Sequence, residues 1–170
     1  MVSEIAIRSA RHEEAVAIQQ VHVAAFGSAA EGELVAELER QGQAIVSLVV
    51  VIGELVVGHV LFSPVSLGGQ DCDGLGLAPL AVDPNWQRRG LGSELVRRGL
   101  QVCAEGGTGF VVVLGDPAFY RRFGFQPAME RGLSNDYGAT CAFQVLELRT
   151  GAIPEHGGPI QYAPAFAALA

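Results

Sequence analysis

Residues 81–100, AVDPNWQRRGLGSELVRRGL, constrain the fold more tightly than any other part of the chain. An apolar strand-like run ends at Val82, a turn with two closely spaced glycines follows, and Leu91, Leu95, Gly99, Val102 and Cys103 then form one helical stripe. Gly106-Gly107 closes that helix, and the short apolar run FVVVLG after it reads as a buried strand. Gly90 and Gly92 carry no side chain to block approach to the backbone, and the first turn of the helix leaves N–H groups unpaired and partly positive. Six of the eleven arginines (Arg88, Arg89, Arg97, Arg98, Arg121 and Arg122) fall between residues 88 and 122, in a chain whose net charge is −7. That concentration predicts a phosphate or pyrophosphate ligand at the junction. The plain alternative is a glycine turn with solvated arginines.

Several ligand classes are excluded. GLGSEL lacks the third glycine of the dinucleotide fingerprint, and the chain has no lysine, which removes the P-loop and Schiff-base chemistry. The acidic balance argues against nucleic acid and suits cationic substrates. Cys72, Cys103 and Cys141 are odd in number and widely spaced, so neither a disulfide framework nor a metal site is expected, and all three are read as buried small hydrophobes. With 49% hydrophobic and 17% charged residues, the 170-residue chain is expected to form one globular domain over 1–170. No apolar run reaches the roughly 18 residues of a membrane span, and MVSEIAIRSARHEE lacks signal-peptide features, so a cytoplasmic location is expected.

Around the junction, SEIAIRSA alternates like a strand, and RHEEAVAIQQVHVAAF has helical spacing through Ala15, Ile18, Val21, His22 and Ala25. AEGELVAELERQ repeats that period through Leu34, Val35 and Leu38. AIVSLVVVIGELVVGHVLFSPVSL gives two β-rich runs joined at Gly53-Glu54, and DGLGLAPLAV a further strand. DPAFYRRF reads as a short helix with Asp116 as N-cap and Pro117 at its first position. A loop-rich stretch then leads to the strand AFQVLELR and the tail GPIQYAPAF.

Gln87-Arg88-Arg89-Gly90-Leu91-Gly92 resembles the pyrophosphate loop Q/R-x-x-G-x-G/A of the GNAT superfamily of acetyl-CoA-dependent N-acetyltransferases. LAVDP is similar to that family's central strand and AFYRRFGF to its second signature, while VVGHVLFSPV, GLAPLAV and the tail resemble the YhbS-like branch. The resemblance implies an α/β fold, a mixed central sheet flanked by helices, whose splayed central strands form the acyl-CoA site. It implies acetyl-CoA as cofactor, CoA as product, and no metal. Cofactor contacts would come from Leu80, Ala81 and Val82 on the central strand, from Gln87, Arg88, Arg89, Gly90, Leu91, Gly92 and Ser93 in the loop, and from Asp116 and Tyr120.

Acetyl transfer needs an oxyanion donor, an acid for the departing thiolate and a base for the amine. By resemblance the Val82 N–H is the oxyanion donor and Tyr120 the acid; read alone, Tyr120 is a core aromatic beside Phe119 and Phe123. Glu31, at the entry to the second helix, is the first candidate base, with Glu33, Asp83 and His59 behind it. The plain readings are first-turn carboxylates favoured by the helix dipole for Glu31 and Glu33, and a structural histidine for His59. Glu31 keeps both readings open. The expected acceptor is an amine, a small molecule or a protein N-terminus, attacking directly in a ternary complex in a monomer or homodimer, with no nucleic-acid or membrane partner. The alternative function is an acyl-CoA-binding sensor or interaction module with little turnover.

Overall fold

The computed structural model describes residues 3–169, so Met1, Val2 and Ala170, the ends of the domain expected over 1–170, lie outside the described residues. The alternating start forms β1 (Ile5–Ser9), and a single 3-10 turn at His12–Glu14 precedes α1 (Ala15–Phe26), which begins at the first residue of the apolar spacing. Ile18, Val21 and His22 are buried as expected, whereas Ala15 is exposed. α2 (Ala30–Arg40) buries Leu34, Val35 and Leu38. The hairpin at Gly53 joins β2 (Val46–Ile52) to β3 (Leu55–Leu67), and β4 (Gln70–Val82) leads through the glycine loop to α3 (Leu91–Glu105). β5 (Phe110–Leu114), the one-turn α4 (Pro117–Tyr120), β6 (Gln126–Pro127), β7 (Leu133–Asn135), β8 (Phe143–Glu147) and β9 (Gly158–Tyr162) complete the order. A 3-10 turn at Pro164–Leu169 follows.

The strands form one mixed sheet in the order β1-β2-β3-β4-β5-β8-β6, with β9 paired to both β3 and β7. β2 is buried on both faces: Val46, Leu48 and Val50 pack with α3, and Val49 and Val51 with α1 and α2. Its sequence is therefore apolar at every position but Ser47 and shows no polar alternation. A third cluster, around Phe110, Val112, Phe143, Val145 and Ile160, closes the far end of the sheet.

The central break in the sheet positions the site. β4 and β5 run parallel and pair only between Gly74–Gly76 and Phe110–Val112, after which they separate. On the other edge of β4, the pair Val60↔Leu80 is followed by Phe62↔Leu77, leaving an extra residue on β4 at a bulge that contains Pro79. Proline brings no N–H to a ladder, and a bulge bends and twists its strand. The Asp83 N–H donates to the Val57 carbonyl at 2.8 Å. Alternation then turns the N–H groups of Val82 and Leu80 away from β3, toward the opening.

Candidate active site

One face of the opening is a cleft of about 500 Å³ between the end of β4, the glycine loop, the start of α3 and Phe119. Leu80, Val82, Trp86, Gln87, Arg88, Gly90, Leu91, Gly92, Ser93, Phe119 and Arg122 line it. Gly90 is the N-cap of α3 in the left-handed region (φ 80°), and no side chain caps the helix there. The first-turn N–H groups are thus free for an anion, with the helix dipole behind them. The Gln87 amide donates to the Val82 carbonyl at 2.8 Å, tying the loop to the strand end.

Two cations stand at the cleft. Arg88 has φ 63°, a strained conformation for a side-chain-bearing residue, held inside the loop. Arg122 donates from Nη2 to Ser93 Oγ at 3.3 Å, linking the turn after α4 to the first turn of α3. Arg89 behaves differently: its guanidinium lies 4.8 Å from the Trp86 ring centroid, outside the cleft lining.

Tyr120, the last residue of α4, is buried with its ring against Gly115 just after β5, edge-on to Phe119 at 4.9 Å and to Phe125 at 5.5 Å. Burial pushes its phenol up to about 12, so the hydroxyl stays protonated through the neutral range. A Cβ on Gly115 would meet the Tyr120 ring at 2.4 Å, so the bare glycine at the strand end gives the ring its seat. Asp116 caps α4 as expected, accepting from the Ala118 N–H at 3.0 Å.

The opposite face of the opening holds a second cavity of about 220 Å³, with Ala78 of β4 and Leu114 of β5 among its walls. Two cavities thus meet one break in the sheet, one charged and one apolar.

Residues 6–128 match the family described as an acetyltransferase (GNAT) domain. The chain is 42% identical over 139 residues, 81% of this chain and 83% of the relative, to "Uncharacterized N-acetyltransferase YhbS" of Escherichia coli K12. This chain belongs to the GNAT acetyltransferase family. Its fold overlays the crystal structure of the GNAT family N-acetyltransferase YhbS from E. coli in complex with CoA, with TM-score 0.92 and 36% identity over 98% of this chain and 94% of that one. A GNAT acetyltransferase from Brucella melitensis in complex with acetyl-CoA overlays with TM-score 0.84 and 34% identity, over 96% of this chain and 99% of that one.

Within this GNAT chain, eight of the residues expected from the sequence converge on the first cleft: Leu80, Val82, Gln87, Arg88, Gly90, Leu91, Gly92 and Ser93. Ala81 turns its methyl into the opposite core, as strand alternation requires. Arg89, Asp116 and Tyr120 are outside the lining, in the contacts described above. Glu31 lines neither cavity; it is half-buried on the first turn of α2 and accepts from Ser28 Oγ at 3.2 Å. Glu33 is exposed, and the Asp83 carboxylate accepts from the Asn85 N–H at 2.9 Å. His59 is fully buried in a polar chain, its Nδ1 2.9 Å from His22 Nε2 and its Nε2 2.8 Å from Ser47 Oγ. The structural reading of His59 fits this geometry.

The cysteine expectation is corrected. Cys103 is buried, but Cys72 is half-buried with its thiol donating to the Val65 carbonyl, and Cys141 is exposed in the loop before β8. The sequence did not single out Trp86 and Phe119 as cleft walls, and it placed Arg122 in the arginine cluster at the junction without distinguishing it as the second cation at the loop. Arg122 was visible only as one of a pair in FYRRFGF, and the fold decides which of the two faces Ser93. Among the described residues no group of three or more metal-ligating side chains occurs, and no helix is long and apolar enough to cross a membrane.

Proposed function

We propose that this chain, as one domain over its 170 residues, moves an acetyl group from acetyl-CoA to an amine by direct attack in a ternary complex. The observation that carries the reading is the unpaired edge of β4 at Leu80 and Val82 sharing one cleft with the uncapped start of α3. An extended pantetheine arm can add to such an edge as a further strand would, with its pyrophosphate at the helix start. The CoA and acetyl-CoA complexes of the two relatives support the same cofactor here.

In the proposed step the amine nitrogen bonds to the thioester carbonyl carbon, the carbonyl oxygen takes up negative charge, and the C–S bond then breaks. The Val82 N–H donates to that oxygen. Loss of one such donor costs about 2.7–4 kcal/mol of transition-state stabilisation in comparable sites, which makes a backbone group a principal contributor. Tyr120 gives its proton to the departing thiolate. A phenol at about 12 is a weak acid toward an ordinary thiol, but the same burial that raises the phenol also raises the thiolate's proton affinity, which narrows the gap. With no base lining either cavity, Glu31 is proposed to take the amine proton through water. The amine acceptor, a small molecule or a protein N-terminus, and a cytoplasmic setting complete the proposal.

The test pairs two measurements on the full chain. CoA should raise the melting temperature, because a ligand bound only by the native state stabilises it. Acetyl-CoA with a panel of amines should then release thiol. Binding without release across the panel would overturn the acetyltransferase reading and leave an acyl-CoA-binding module.

A further inference from the structure

The cavity facing away from the glycine loop has six wall residues, Ala78, Leu114, Tyr137, Tyr162, Phe166 and Leu169, and none is charged. Three of its side chains form an aromatic row: the Tyr137 and Tyr162 rings are 6.1 Å apart, and those of Tyr162 and Phe166 are 5.2 Å apart. The Tyr162 ring lies so close over Gly76 of the central strand that a Cβ there would meet it at 2.5 Å. Burial raises the Tyr162 phenol far above its usual range, and the nearby phenols of Tyr137 and Tyr120 raise it further. The phenol therefore stays neutral, and its hydroxyl is enclosed without a hydrogen-bond partner.

Four of the six walls lie beyond residue 128, where the match to the GNAT domain ends. The segment shared with the family therefore builds the cofactor cleft, and the later segment, from the loop after β7 to the final 3-10 turn, builds this cavity. At about 220 Å³ it falls below the ~300–1,000 Å³ of sites for drug-sized ligands. A second ammonium or a carboxylate placed among these walls would lose its water and meet no opposite charge in return.

Resting on the acetyl-transfer reading, we infer that the acceptor is a small monoamine with an aryl or branched-alkyl body, selected by the aromatic row Tyr137–Tyr162–Phe166. The apolar body packs on the rings, and the single amine points through the gap between Ala78 and Leu114 toward the thioester. The walls disfavour polyamines and free amino acids alike.

The experiment uses 2-phenylethylamine against two matched probes: phenylalanine, which adds a carboxylate to the same body, and spermidine, which replaces the body with charge. The expected kcat/KM for 2-phenylethylamine, read by thiol release, is at least tenfold above both. Tyr137→Ala, at an exposed position where folding is not at stake, should raise the KM for 2-phenylethylamine about tenfold and change the KM for acetyl-CoA less than twofold. Leu169→Asp, which places a carboxylate on the wall, should shift the preference toward spermidine at least fivefold. A preference for phenylalanine or spermidine in the unaltered protein, or no response to Tyr137→Ala, would overturn the assignment. Calorimetry on the CoA-loaded protein separates the two readings. If 2-phenylethylamine binds, loses affinity in Tyr137→Ala and releases no thiol, acetyl transfer fails while the cavity assignment stands. No binding of 2-phenylethylamine to the CoA-loaded protein refutes the cavity assignment.

Discussion

At the scale of single residues, the sharpest test falls on Tyr120, whose burial fits a core aromatic and a protonated acid equally well. Tyr120→Phe keeps the ring and removes the hydroxyl. If the phenol is the acid, turnover with a working amine should fall by about 10²–10⁴-fold with CoA affinity unchanged; full turnover would leave the ring as packing alone. The raised phenol also fixes a sign: its proton-donating form persists as pH rises to about 10, so the unaltered protein should show no falling limb below that pH. The two loop arginines separate in the same way. Arg88 faces the cleft and Arg89 stacks on Trp86, so Arg88→Ala should weaken CoA binding about tenfold, the loss of one charge-assisted bond, and Arg89→Ala much less. Equal losses by calorimetry would refute that division. Adjacent side chains entering a helix point in different directions, so the sequence predicts that only one of the two contacts phosphate and leaves open which. What separates them is the positive φ at Arg88, which no glycine or asparagine announces, and a ring that comes within reach only after the loop folds.

At the scale of elements, the helices and long strands were legible because their periods are carried by many residues, as in α3 and the β2–β3 hairpin. β6 and β7, with two and three residues, carry no period to read. The break between β4 and β5 depends on where the bulge containing Pro79 interrupts the ladder, and the second cavity depends on β9 returning to β3. Both are long-range pairings. The joint between β5 and α4 offers a prediction: Gly115→Ala should displace the Tyr120 ring and lower turnover while CoA binding persists. Unchanged turnover would mean that the ring needs no fixed seat. A second joint ties β2, β3 and α1 through Ser47, His59 and His22, and in either tautomer His22 Nδ1 is left without a partner. Burial lowers His22 to about 4, and burial with the neighbouring His22 lowers His59 to about 3. Both histidines are therefore neutral in the fold, while the unfolded chain takes up protons below about pH 6.5. Stability is complete above that pH and falls as pH drops toward 4, by about 1.4 kcal/mol per pH unit for each histidine. His22→Leu should reduce that slope by one histidine's share in urea titrations between pH 6.5 and 4.5, and an unchanged slope would show that other groups set it.

At the scale of the whole molecule, an acidic chain gathers six of its eleven arginines between residues 88 and 122, around a cleft that admits an anion. CoA affinity should therefore fall as salt rises from 0.05 to about 0.5 M, because exposed charges are screened beyond a Debye length of about 10 Å at 0.1 M. Salt-independent binding would sink the electrostatic account. The sheet's break opens toward α3 on one face and toward the aromatic row on the other. A passage with two mouths imposes no queue. If the acceptor sits among those rings, donor and acceptor would enter from opposite sides, neither would stand in the other's doorway, and the acetylated amine could leave while spent CoA is still seated.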